Sequence, residues 1–272
     1  MSARARRYLL ATSITAMMGI SGAAHAAQCG SNAGGFEAWK ADFSRQAAAN
    51  GIGDRGLKAL AATTYATSTI KADRGQKSFK LSLNQFMAKR GGPAIASKGK
   101  VMRRQNAQLF EQIERRYGVP AGPLIAIWGM ETGFGGYMGN SNILSAVTTL
   151  AYDCRRPEFF TGHLHAALQL VDRGWLSPQA IGAAHGEIGQ TQFLPGNVIK
   201  YGVDGDGDGR VDLIRSRADA LASTANFLRG HGWRAGAGYQ PGQPNYGALQ
   251  GWNAASVYQQ AIAIIGAEID GP

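Results

Sequence analysis

Apolar residues recur at spacings of three and four along most of this chain, while strand-like alternation is scarce, so helices are expected almost throughout. Phe36, Trp39 and Phe43 form one such stripe, and Leu57, Leu60 and Ala61 resume it after the break at Gly51-Ile52-Gly53. The basic, polar stretch from Lys71 to Lys100, with Phe79, Leu83, Phe86 and Met87 interleaved, reads as irregular chain plus a short helix. Leu109, Ile113 and Tyr117 mark an amphipathic helix that Gly118 and Pro120 close. Further helices are expected over Asn142 to Tyr152, Pro157 to Asp172 and Pro178 to Ala184, the last with Ser177 as its cap and proline in its first turn. Ser216 to Arg229 follows, with Asp219 in the first turn and Gly230 at the end. A loop rich in Gly, Pro and Gln from Gly236 to Gly247 leads to a closing helix over Ser256 to Ile269. No repeat, coiled coil or long linker interrupts the pattern, which predicts one mainly helical domain.

One apolar run differs in kind. Arg4, Arg6 and Arg7 precede a hydrophobic stretch from Tyr8 to Ile20, and Ala24-His25-Ala26 places small residues where a signal peptidase cuts. Residues 1–26 are therefore expected to be a cleaved export signal, with Sec and twin-arginine routes both compatible. The run is shorter than the ~20 residues a spanning helix needs. Gln28 is too large to precede a lipidated cysteine, so no lipoprotein is expected and the protein is placed in the periplasm.

Export changes how the charge is read. The 272 residues carry 28 Lys and Arg against 18 Asp and Glu, a formal +10, of which three charges belong to the leader. The remaining +7 sits on a protein that has left the cytoplasm, so its anionic partner is expected to be a wall polymer, lipid or acidic glycan and not nucleic acid. Export also permits a disulfide, and Cys29 and Cys154 are the one pair available. With only two cysteines, a thiolate zinc site is excluded.

A single acidic residue stands out. In Pro123 to Gly136 a helix carries Leu124, Ile127 and Trp128 on one face, and Glu131, seven residues after Leu124, falls on that face. The glycines that follow should end the helix there. Burial and the negative end of a helix both penalise the anion, which raises a carboxyl group toward the range a neutral-pH general acid needs, while the plainer reading of the pattern alone is a glutamate at a frayed helix end, turned to solvent.

The motif Trp128-Gly129-Met130-Glu131-Thr132-Gly133-Phe134-Gly135 is followed in order by Thr148 to Arg156, Gly186 to Pro195, an aspartate-rich loop, Ala225 to Leu228, Gly232-Trp233 and Gly251-Trp252-Asn253. In that order the motifs resemble lytic murein transglycosylases of the membrane-bound lytic transglycosylase B type, from about Phe36 to Ile269. The resemblance implies a mainly α fold: a lysozyme-like helical core over roughly 105–235 within a domain of 27–272, an additional helical subdomain and a small EF-hand-like loop. It implies cleavage of the β-1,4 bond between N-acetylmuramic acid and N-acetylglucosamine in peptidoglycan, with Glu131 as the single acid and base and a 1,6-anhydro sugar as product. It implies that Arg155, Arg156, Gln192, Phe193, Asn253 and Tyr258 contact the saccharide or its peptide. Guanidinium suits carboxylates, and a primary amide both donates to and accepts from an acetamido group. The plainer readings are a solvated arginine pair beside Asp153 and Glu158, and core packing for Phe193.

The chain departs from the family around Gly186, where Ala183, Ala184-His185 and Glu187-Ile188 replace its usual residues. A serine contact is lost, and Glu187 adds a carboxylate, for which a structural hydrogen-bonding role is expected over a second catalytic one.

Asp204, Asp206, Asp208, Arg210 (by its carbonyl) and Asp212 match the first nine positions of a calcium loop, but Arg215 stands where the last, bidentate glutamate belongs. Weak, structural Ca²⁺ binding is expected, the plainer reading being a turn held by Asx and backbone hydrogen bonds without metal, and no cofactor is required for the reaction. The expected partners are peptidoglycan strands and wall-processing proteins, and the expected state is a monomer. The competing readings are a hydrolytic muramidase on the same bond and a non-catalytic peptidoglycan-binding protein.

Overall fold

The computed structural model describes residues 28–75 and 81–271, so the expected export signal and Phe79 lie outside the described residues. Within them the fold is mainly α. A 3₁₀ turn at Ala33–Gly35 precedes α1 (Phe36–Ala49), α2 (Asp54–Ala61), α3 (Thr67–Arg74), α4 (Leu83–Arg90), α5 (Gly92–Gln105), α6 (Ala107–Tyr117) and α7 (Ala121–Thr132). Strand β1 (Ser141–Asn142) leads into α8 (Ile143–Tyr152) and α9 (Pro157–Asp172), and β2 (Ile181–Gly182) pairs back on β1 in antiparallel register. The chain closes with α10 (Pro195–Tyr201), α11 (Arg217–Gly230), α12 (Tyr246–Trp252) and α13 (Ser256–Asp270).

Local chemistry explains most boundaries. Asn142 and Ser216 cap α8 and α11 through their side chains, accepting from the backbone N–H of Ser145 at 2.9 Å and of Asp219 at 3.1 Å. Gly118 ends α6 in the left-handed conformation at φ 72°. The stripe of Phe36, Trp39 and Phe43 is buried, with Trp39 stacked on Phe43. Cys29 and Cys154 form a disulfide that fastens the segment before α1 to the end of α8.

Three expectations need correction. Lys71 to Lys100 is far more helical than irregular. Ser82 and Gln85 form a reciprocal capping box that starts α4, and left-handed Gly91 turns the chain directly into α5, whose first turn holds Pro93. Pro178 to Ala184 is not a helix. Ser177 Oγ accepts from Gln179 N at 3.2 Å in a tight turn, and a Cβ at Gly182 would stand 2.2 Å from the Glu187 carbonyl. The segment is held open as β2. Finally, α7 is not amphipathic: Leu124, Ile125, Ala126 and Ile127 are all fully buried, as expected of a helix at the centre of a core.

That central helix is positioned from both ends. Asp270, at the end of α13, accepts the N–H of Gly122 at 2.7 Å and so satisfies the first turn of α7. The two helices touch backbone to backbone, because a Cβ at Gly122 would lie 2.2 Å from the Gly266 carbonyl. This approach carries the start of α13, with Tyr258, to the far end of α7, with Glu131.

Candidate active site

Glu131 is the penultimate residue of α7, and Gly133 ends the helix at φ 60°. Thr132 fixes that end to the loop before α10: its hydroxyl donates to the Gln190 carbonyl at 2.6 Å and accepts from Gly135 N at 2.9 Å. The loop is itself clamped by paired backbone bonds between Ile188 and Phe193, at 2.7 and 3.0 Å. Gln192 at its tip adopts φ 56°, a left-handed conformation unfavourable for a residue with a side chain. Its amide donates to the carbonyls of Gly189 at 2.8 Å and Met138 at 3.3 Å.

These elements enclose a cavity of about 270 Å³ lined by Glu131, Glu187, Gln192, Phe193, Trp252 and Asn253, among others. Glu131 is partly buried at its wall. Tyr258 OH donates to Glu131 Oε1 at 2.7 Å, and Trp252 Nε1 donates to the same oxygen at 3.3 Å. Both donors occupy one oxygen, so Oε2 is the atom left to carry a transferable proton. Burial pushes the carboxyl group up to about 7, against the two hydrogen bonds and the nearby Arg90 guanidinium, while Glu187 adds to the rise. The group therefore holds its proton near neutrality and can still lose it, which suits an acid that must later act as a base.

The expected contact residues divide. Gln192, Phe193 and Asn253 line the cavity with Glu131. Phe193 is only 2% exposed and meets Phe227 and Trp252 edge to face, so its ring is packed as floor. Tyr258 is buried behind Glu131, against Phe86. Arg155 and Arg156 do not line the cavity. Both arginines are exposed, and both guanidiniums donate to Asp73 of α3, while Asp153 accepts from the Arg155 backbone N–H at 3.0 Å and from Arg74 at 2.7 Å. Burial works against ionising Asp73, yet the two arginine hydrogen bonds outweigh it and hold the carboxyl group below its usual range. Asp73 also lies 3.7 Å from His185 Nε2, and His185 meets Glu187 twice, donating its backbone N–H to Oε2 at 3.0 Å and placing Nδ1 3.3 Å from Oε1. A polar chain thus joins the arginine pair to the cavity through His185 and Glu187.

Sequence reasoning missed Trp252 and Arg90 as neighbours of Glu131. Trp252 stood within a quoted motif, but nothing local signals that α4 brings Arg90 near α7, where it donates to the Met130 carbonyl at 3.3 Å.

In the aspartate loop, carboxylate oxygens of Asp204, Asp206 and Asp219 lie within 4.8 Å of one another. Asp219 was read only as a first-turn helix residue, yet it is 1% exposed and supplies from α11 an acid that Arg215 cannot. All five loop-associated aspartates accept backbone N–H groups, Asp204 from Gly209 at 2.7 Å, Asp206 from Asp208 at 3.3 Å, Asp208 from Arg210 at 2.8 Å, Asp212 from Arg215 at 2.9 Å and Asp219 from Gly205 at 2.8 Å. Three converging carboxylates, one of them buried, fit a hard divalent cation.

A family model described as the transglycosylase SLT domain matches residues 35–243. Membrane-bound lytic murein transglycosylase B of Escherichia coli (strain K12) is 34% identical over 162 residues, a stretch that covers 56% of this chain and 45% of that relative's own length. SltB3 from Pseudomonas aeruginosa, solved in complex with NAG-anhNAM-pentapeptide, is 30% identical with a TM-score of 0.80, covering 87% of this chain and 80% of that one. Escherichia coli Slt35, solved in complex with calcium, shares the fold at 24% identity and a TM-score of 0.75, covering 85% and 92%. With three quarters of its length matched by the family model and its lysozyme-like helical fold shared with these enzymes, the chain belongs to the transglycosylase SLT domain family.

Proposed function

We propose that this protein is a lytic murein transglycosylase that cuts the β-1,4 bond between N-acetylmuramic acid and N-acetylglucosamine. The observation that carries the reading is Glu131: a partly buried carboxyl group raised to about 7, with one oxygen held by Tyr258 and Trp252 at the wall of a cavity. The proton on Oε2 goes to the glycosidic oxygen as the bond to C1 breaks. The resulting carboxylate takes the proton of the muramyl C6 hydroxyl, which attacks C1 and closes a 1,6-anhydro ring. Glu131 ends the cycle protonated, and the substrate's N-acetyl group stabilises the intermediate, so no second carboxylate is needed. Gln192 and Asn253 are the contacts for sugar amide groups, and Arg155 and Arg156, held by Asp73, face carboxylates of the muropeptide.

A hydrolytic reading draws on Glu187, which lines the same cavity and could orient water. His185 engages both of its oxygens, which favours a structural role. The mass of the released sugars decides: an anhydro product is one water lighter than a hydrolytic one, and Glu131→Gln should release neither.

We further infer that Asp204, Asp206 and Asp219 hold a Ca²⁺ ion that braces the loop and takes no part in the chemistry. Action on the wall outside the cytoplasm is supported by the Cys29–Cys154 disulfide. Among the described residues no helix is long and apolar enough to cross a membrane.

A further inference from the structure

A larger cavity, about 700 Å³, is lined in part by the loop that follows Glu131, and nothing above assigns it a role. Its walls include Tyr137, Trp175 and three arginines, Arg55, Arg210 and Arg215, against one acid, Asp212. Tyr137 is 67% exposed, the most open large hydrophobic residue among those described, and it stands at the cavity mouth with no packing role to account for it. Trp175 is partly exposed and backed by Arg173, whose guanidinium lies 5.2 Å from the ring centre. Both rings line the cavity, and an exposed aromatic face suits a sugar ring, whose C–H faces pack on π surfaces.

Two of the arginines, Arg55 and Arg210, converge on one turn. Both oxygens of Asp172 accept backbone N–H groups of α2, from Gly53 and Gly56, each at 2.7 Å, which pins Arg55 over the turn at Gly174. Arg210 converges on the same turn, donating to the Gly174 carbonyl at 3.0 Å. Arg215 lies 3.8 Å from Asp212, the one acid in the lining, so the three guanidiniums leave the cavity with an excess of positive charge, and a guanidinium fork suits a carboxylate. The cavity is also tied to the first one. Its wall at Met138 accepts the Gln192 amide at 3.3 Å, so the two walls touch through Gln192.

We propose that this cavity is a second saccharide site, which binds an amino-sugar unit bearing a carboxylate, with Tyr137 and Trp175 against the ring and the arginines on the acid. This deepens the peptidoglycan reading and rests on it. The carboxylate can come from the lactyl group of muramic acid or from its peptide stem.

The test is calorimetric binding to the full chain carrying Glu131→Gln, with and without Arg55→Ala/Arg215→Ala, and separately with Tyr137→Ala. Three probes are used: a disaccharide-tetrapeptide, glycan fragments stripped of peptide by an amidase, and neutral chitotetraose. All three substituted positions are exposed, so unchanged melting is expected. The arginine pair variant should weaken at least one carboxylate probe by about tenfold while chitotetraose changes by less than about twofold, and Tyr137→Ala should weaken all three. Loss confined to the tetrapeptide assigns the stem; loss on stripped fragments assigns the lactyl group. Unchanged affinity for both acidic probes, or an equal loss for chitotetraose in the arginine variant, overturns the site. Turnover of sacculi by the unsubstituted chain is read separately: no turnover with arginine-dependent binding intact would sink the transglycosylase reading and leave the site standing.

Discussion

A carboxylic acid donates a proton near neutrality only where its surroundings penalise the anion, and at Glu131 burial does most of this against two hydrogen bonds. The basic limb of kcat/KM should therefore fall near pH 7, with tenfold loss per unit above it, in a pH profile on purified sacculi. Tyr258→Phe removes a bond that favours the anion, so the limb should move to higher pH while kcat falls; a limb that stays or moves down would contradict the assigned geometry. Glu187→Gln removes a like charge and should shift the limb down while keeping most activity, and a loss as deep as that of Glu131→Gln would instead make Glu187 catalytic. The raised group also costs stability. A carboxyl group whose folded value is above its unfolded one stabilises fully below the unfolded value and loses that contribution as pH rises to about 7. Glu131→Gln should melt with the native protein at about pH 4 and above it at about pH 8, by up to about 3 kcal/mol in urea titrations.

At the scale of elements, the site depends on the crossing of α7 and α13. Gly122→Ala would drive a methyl group into the Gly266 carbonyl and the Asp270 carboxylate, at 2.2 and 2.4 Å. A loss of about 2 kcal/mol or more in chemical denaturation is expected, with kcat falling as Tyr258 shifts from Glu131. The disulfide spans 125 residues, and its reduction should destabilise by about 5 kcal/mol in the chain-entropy account. Ca²⁺ should raise the melting temperature of the loop-bearing fold, and a chelator should lower it without slowing catalysis below that temperature. Loss of activity without loss of stability would place the ion in the reaction.

Across the whole molecule, what was legible in the sequence was what short spacings encode. Leu109, Ile113 and Tyr117 announced α6, and Glu131 before a run of glycines announced a buried acid at a helix end. Where surface polarity hid the period, as in α4 and α5, or where close backbone contact overrode propensity, as at Gly182, local reading failed. The site's other half was illegible for a different reason. Arg90 and Asp73 come from α4 and α3, and only the tertiary packing brings them to residues far along the chain. Part of the positive balance acquires a location too: Arg55, Arg210 and Arg215 line one cavity of about 700 Å³.

The measurement that bears most directly on this account is the mass of the sugars released from purified peptidoglycan. The account predicts fragments ending in 1,6-anhydromuramic acid, one water lighter than hydrolysis products and absent with Glu131→Gln; hydrated muramic ends, or anhydro ends undiminished in that variant, would contradict it.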